Sequence, residues 1–138
     1  MTVARTIDHI GIVVDDLDKA VSRYSALLAT APELRREMTE VGLRVAMFRA
    51  ANIRIELLQY TGQGSSARTV MGDEPGLNHI AVAADDLAAE TARISEEGLV
   101  VQPGFPRRGA HGLVTFFERD SMTGVLLELC EVSTPGNH

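Results

Sequence analysis

The stretch Ile7-Asp8-His9-Ile10-Gly11-Ile12-Val13-Val14-Asp15-Asp16-Leu17 decides how this chain is read, because residues 77–87 repeat it as Leu77-Asn78-His79-Ile80-Ala81-Val82-Ala83-Ala84-Asp85-Asp86-Leu87. Aligned from His9 and His79, five of the nine positions through Leu17 and Leu87 are identical. Both copies read as a strand that carries a histidine and ends in an aspartate pair able to cap a helix. A repeat of this length points to a duplicated module.

Working outward, residues 7–14 are the first strand. Asp15 or Asp16 caps the next helix and Asp18 adds favourable charge to its first turn. Leu17, Ala20, Val21, Tyr24, Leu27 and Leu28 recur at helical spacing, so a helix is expected to about Ala29, ended by Pro32. Extended segments at about 33–40, 43–50 and 53–60 complete a βαβββ order. Residues 61–76, rich in Gly and Ser and without a sustained apolar period, read as a non-helical connection. The second copy follows with a strand at 77–83 and a helix to about Glu97, closed by Gly98. A short strand at 99–101, a loop over 103–112 and strands near 113–118 and 124–131 finish it. The expected organisation is one domain over 1–138, with module 1 at about 5–60, a linker at 61–76 and module 2 at about 77–132.

The last strands of the halves also match: Ile53-Arg54-Ile55-Glu56-Leu57-Leu58 parallels Val125-Leu126-Leu127-Glu128-Leu129-Cys130. Strand side chains alternate between faces. His9 therefore shares a face with Gly11 and Val13, and His79 with Ala81 and Ala83; Glu56 and Glu128 each oppose flanking aliphatics. The bulky face is the one a helix covers, and the face of small residues beside the histidines has room for a cavity. An isolated strand histidine is ordinarily just hydrogen-bonded, and an isolated glutamate ordinarily solvated. Four such residues at equivalent places in two copies are a different matter. Two carboxylates ~4 Å apart repel by ~4 kcal/mol at an effective dielectric near ~20, and a divalent cation reverses the sign. Two imidazoles and two carboxylates suit Co, Ni, Mn, Fe or Zn better than Ca.

Composition narrows the alternatives. Net charge of −6 and a pI near 5.1 argue against nucleic acid and anionic membranes as partners. No uncharged run approaches the ~20 residues of a spanning helix. Arg5 and Asp8 interrupt any apolar signal core, and the single Cys130 suits a reducing compartment, so a cytoplasmic protein is expected.

The motifs DHIGIVVDDLDKAV, GLRVAMF, IRIELL, GLNHIAVAADDL, PRRGAHG and GVLLELCE run in order along nearly the whole chain. On these the chain resembles the vicinal oxygen chelate superfamily (glyoxalase, bleomycin resistance and dioxygenase proteins), and within it looks most like methylmalonyl-CoA epimerases. The resemblance implies an α+β fold of two tandem βαβββ modules forming a curved, partly closed mixed sheet around a metal site. It implies His9, Glu56, His79 and Glu128 as ligands of a divalent ion, which would polarise a thioester carbonyl and stabilise an enolate. Glu128 is the first candidate for the base and Glu56 the second; the substrate would be an acyl-CoA or other thioester, the assembly a homodimer. A further glutamate found in some epimerases would lie near Val45, where this chain has no carboxylate. The first helix ends in Leu-Ala-Thr-Ala-Pro where relatives commonly turn on a glycine.

Lesser candidates lie in the loop before the seventh strand: Arg107 and Arg108, suited to a substrate carboxylate or CoA phosphate or else a solvated basic turn, and His111, suited to a hydrogen bond with substrate or to shaping the loop. Gln59 and Tyr60 are further candidates for substrate contact. Rival readings keep the scaffold and change the chemistry: a glyoxalase-I-like lyase, another isomerase or oxygenase of specialised metabolism, or a non-catalytic small-molecule-binding or resistance protein. Sequestering members generally lose the ligand residues that this chain keeps.

Overall fold

Asp16 and Asp86 start the two longer helices. Each has an extended backbone and accepts from the N–H three residues on, Lys19 at 3.1 Å and Ala89 at 3.0 Å. The computed structural model describes residues 3–110 and 112–132. In chain order the elements are β1 (Ile7–Val13), α1 (Leu17–Leu28), β2 (Leu34–Met38), β3 (Leu43–Arg49), β4 (Arg54–Tyr60), α2 (Ser66–Met71), β5 (Gly76–Ala84), α3 (Leu87–Ser95), β6 (Arg107–Arg108), β7 (Leu113–Phe116) and β8 (Leu126–Glu131). Leaving α2 aside, this is βαβββ twice, an α+β fold as expected. Among the described residues no helix is long and apolar enough to cross a membrane.

Contacts divide the chain into two compact units. The first runs from His9 to His79; the second joins the residues up to Asp8 with those from Ile80 onward. The dividing points fall inside β1 and β5.

In the first unit the strand order is β2-β3-β4-β1, with β1 parallel to β4 and the other pairs antiparallel. Register sets Gly11 against Glu56 and Ile12 against Leu57, and Met47 against Glu56 on the other side. Helix α1 covers one face: Leu17, Ala20, Val21, Tyr24 and Leu28 pack with Ile12, Val14, Ala46, Phe48, Ile55 and Leu57. That is the bulky aliphatic row of the sequence pattern, and burying such side chains contributes ~1.5–3 kcal/mol each. Gln59 is drawn into the same end of the helix. Its Oε1 accepts from the Leu17 N–H at 2.7 Å, so this side chain caps α1, which accounts for its polarity at the strand end. Ala29 closes α1 in the left-handed region, at φ 55° and ψ 42°, where an L side chain costs ~1–2 kcal/mol that glycine would not incur.

In the second unit the order is β5-β8-β7-β6. Helix α3 covers the equivalent face, with Leu87 and Ile94 packed with Val82, Ala84, Phe117, Leu127 and Leu129. Arg5 ties the N-terminal segment to this helix through a bidentate pair with Glu90, both contacts at 2.9 Å, and Arg93 pairs with the same carboxylate at 2.9 and 3.1 Å. The hydrogen bonds from Arg5 and then Arg93 hold the Glu90 pKa at about 2, below its ordinary 4.5. A carboxylate shifted in this direction contributes fully above its unfolded pKa of 4.5 and loses its contribution as pH falls toward 2. Glu90→Gln is expected to lower stability by about 2 kcal/mol at neutral pH. In urea denaturation the gap to the parent should narrow between pH 4.5 and 2.

Three local expectations are corrected. The linker contains a helix, α2, capped by Ser65, whose Oγ accepts from the Arg68 N–H at 3.3 Å. It forms despite its shortness because tertiary contacts hold it: Ala67 and Met71 are buried, and Ser65 Oγ and the Ala67 N–H both donate to the Val41 carbonyl. The segment 99–101 makes only one bridge, Val101 to Phe117, although Leu99 and Val101 still pack into the core. Within the expected loop 103–112, Arg107 and Arg108 pair with Val114 and Leu113 as a two-residue strand.

Candidate metal centre

Three of the four expected ligands converge inside the first unit. His9 comes from β1, Glu56 from β4, and His79 from the start of β5; they are 2%, 6% and 3% exposed. Glu56 Oε1 lies 3.5 Å from His9 Nε2 and 3.3 Å from His79 Nε2. The two imidazoles stand edge to face, with centroids 5.5 Å apart and planes at 83°. The pleat brings this about: Ile55 and Leu57 turn to the helix-covered core, so Glu56 turns away from it, onto the face that carries His9 and Gly11.

At Gly11 the space left by the absent side chain is taken by an imidazole. A Cβ built on Gly11 would lie 2.1 Å from His79 Cε1 and 2.4 Å from Nε2. Gly11 sits in ordinary extended backbone, so its small size, rather than its conformational freedom, is what this position requires.

A residue not singled out from the sequence bonds one of these histidines. Asn78 Nδ2 donates to the Met71 carbonyl at 2.8 Å, and Asn78 Oδ1 lies 2.8 Å from His79 Nδ1. Its partners are a backbone carbonyl and the adjacent ring, so no spacing rule singled it out. The nearest signal was a polar residue beside a histidine in an otherwise apolar strand.

This donor set fits a divalent cation. Two imidazole nitrogens close on one carboxylate oxygen, all buried, form a cluster of electron-rich atoms whose mutual repulsion a positive centre removes. Nitrogen and oxygen donors together suit the first-row transition metals and zinc.

Glu128 belongs to the second unit. It is 5% exposed on β8, and with Leu127 and Leu129 turned to the α3-covered core it lies on the opposite face, the position equivalent to that of Glu56. In register it faces Phe116, as Cys130 faces Val114. Val114 also pairs with Arg107, so Arg107 shares the Glu128 face while Arg108, paired with Leu113, has the other. The Arg107 guanidinium lies over the Phe105 ring at 4.3 Å, and Phe105 meets Phe116 edge to face at 5.6 Å. Arg108 is exposed. His111 lies outside the described residues. Tyr60 is turned to structural use: its hydroxyl donates to the Gly72 carbonyl at 2.6 Å, and the Arg68 guanidinium covers its ring.

A cavity of about 610 Å³ in the second unit is lined by Asp8, Asp85, Asp86 and Glu90, against the single Arg5. Such an acidic wall is ill suited to phosphate groups.

Comparison with known proteins bears on the whole chain. The family profile described as Glyoxalase/Bleomycin resistance protein/Dioxygenase superfamily matches residues 8–117. The uncharacterized protein YqjC of Bacillus subtilis is 32% identical over 127 residues, 91% of this chain and 91% of that one. The ethylmalonyl-CoA/methylmalonyl-CoA epimerase of Cereibacter sphaeroides is 32% identical over 130 residues, 91% of this chain and 97% of that one. A variant of the Streptomyces coelicolor methylmalonyl-CoA epimerase, solved in complex with 2-nitronate-propionyl-CoA, superposes with a TM-score of 0.79 at 31% identity, covering 95% of this chain and 100% of that one. With its duplicated βαβββ order and its buried His/Glu cluster, the chain belongs to the glyoxalase/bleomycin resistance protein/dioxygenase superfamily.

Proposed function

We propose that this protein is a divalent-metal-dependent epimerase that inverts the α-carbon of a 2-methyl-branched acyl-CoA such as methylmalonyl-CoA, with His9, Glu56, His79 and Glu128 as the metal ligands. The observation that carries the reading is the single Glu56 oxygen held within 3.5 Å of two buried imidazole nitrogens. The named activity of the Cereibacter sphaeroides relative and the acyl-CoA analogue held by the Streptomyces coelicolor variant support the substrate class.

When bound, the cation supplies Lewis-acid stabilisation of the negative charge that develops as an α-proton leaves a thioester. The chain's own residues do the rest. Epimerisation removes that proton from one face and returns one to the other, so two groups are needed. Beside Glu56, β3 presents Leu43, Val45 and Met47 on the same face, all buried and none able to carry a proton. The ligand carboxylates are therefore assigned the proton work, Glu128 first and Glu56 second. Arg107 is assigned to a substrate carboxylate or CoA phosphate. It lies on the Glu128 face, stacked on Phe105, and no carboxylate pairs with it among the described residues. Arg108, exposed on the opposite face, is the weaker candidate, and His111 is retained on the resemblance alone. A homodimer in the cytoplasm is the assembly and compartment that go with this reading.

The test is exchange in D2O. Methylmalonyl-CoA incubated with the metal-free protein should keep its α-hydrogen, and addition of Co or Mn should bring deuterium in together with inversion. A chelator should abolish both. Failure to exchange with any divalent ion would overturn the assignment.

A further inference from the structure

The contacts of Asn78 determine which nitrogen of His79 carries its hydrogen. The Met71 carbonyl is an acceptor only, so the Asn78 atom facing it at 2.8 Å must be the amide nitrogen. The Asn78 carbonyl oxygen then faces His79 Nδ1 at 2.8 Å, and being itself only an acceptor it requires a hydrogen on that nitrogen. In the neutral ring the lone pair is left on Nε2, the nitrogen turned toward Glu56.

The carbonyl that begins this relay is the last of α2, where the helix leaves its terminal oxygens without partners one turn further on. The helix is itself fastened at both ends. Ser65 Oγ and the Ala67 N–H donate to Val41, and the Tyr60 hydroxyl holds the Gly72 carbonyl just past its C-terminus. We propose that Asn78 is a positioning residue for metal binding: anchored on the Met71 carbonyl of the linker helix, it fixes the His79 tautomer and ring orientation, making α2 part of the metal-binding apparatus. This rests on the reading of His79 as a ligand. Partners that orient a ligating imidazole typically change metal affinity by ~10–100-fold when removed.

The experiment has two arms. Long-range proton–nitrogen NMR of the metal-free protein, at a pH where the ring is neutral, should show His79 with its hydrogen on Nδ1; a hydrogen on Nε2 overturns the proposal without any variant. Co²⁺ titration then compares the parent with Asn78→Leu and Asn78→Asp. The leucine variant should bind about 10–100-fold more weakly and shift the His79 signals toward the other tautomer. The aspartate variant keeps an acceptor for Nδ1 but loses the donor to the Met71 carbonyl, so it should hold the Nδ1–H tautomer and lose less affinity than the leucine variant. Equal Co²⁺ affinity in parent and leucine variant overturns the role of Asn78 while leaving the metal site standing. Equal losses in the leucine and aspartate variants overturn it too, since a merely structural role moves both alike. A parent that shows the Nδ1–H tautomer yet binds no divalent ion sinks the metal-site reading, and with it the role in metal binding.

Discussion

Gly11→Ala is expected to lower divalent-ion affinity by more than about a hundredfold, while the protein still folds. The added methyl would lie 2.1 to 2.5 Å from three atoms of the His79 ring, well inside any real carbon contact. Either the ring or the β1 backbone must give way. The backbone is held by its parallel pairing with β4, which places Gly11 against Glu56 with Ile10 and Ile12 in register on either side. The ring is a side chain that can turn about its own bonds, whereas the strand cannot shift without breaking its ladder, so the ring is what moves. Displacing a ligand itself should exceed the ~10–100-fold cost of losing one of its outer partners. Overpacking of a buried position ordinarily costs ~1–3 kcal/mol, too little to unfold a domain of this size outright. Isothermal titration with Co²⁺ and a urea denaturation curve separate the two effects. A variant that binds Co²⁺ like the parent would mean that His79 is not held against this strand.

The position of Gly11 also shows where sequence reasoning succeeded and where it stopped. Alternation along Ile7–Val13 and Arg54–Tyr60 was enough to place His9, Gly11 and Glu56 on one face and Ile12, Val14, Ile55 and Leu57 on the other, since strand parity is a local property. Parity does not say what fills a face, and nothing in the repeat shows that an imidazole occupies the space beside Gly11. The same limit hid α2. Six residues are too few for a periodic apolar signal, and the helix depends on Val41, more than twenty residues earlier. Gln59 and Asn78 were opaque for a related reason, because each bonds a main-chain group outside its own local motif, the Leu17 N–H and the Met71 carbonyl, and no fixed spacing marks such a pair. The aspartate caps were legible because capping needs a particular side chain at a particular place. Even so, only the backbone conformation chose Asp16 and Asp86 over their neighbours.

The largest catalytic effect is expected from Glu128→Gln. A glutamine keeps an oxygen able to serve as a ligand but gives up the capacity to take a proton, so the substitution separates the two duties proposed for this residue. If Glu128 serves only as a ligand, metal affinity should fall and catalysis at saturating metal should largely recover. If it is also the base, catalysis at saturating metal should remain down by ~10²–10⁴, the range that positioned proton transfer ordinarily supplies. The two epimers sharpen the test, since an epimerase draws the α-proton of each from opposite faces. Removing one base should abolish deuterium wash-in from the epimer it serves and leave slow exchange, without inversion, in the other. Glu56→Gln should give the mirror-image result. The β3 face beside Glu56 holds only Leu43, Val45 and Met47, so no carboxylate there stands ready to substitute for either. Equal loss of exchange from both epimers in Glu128→Gln, recovered in both at saturating metal, would instead assign Glu128 to holding the cation alone.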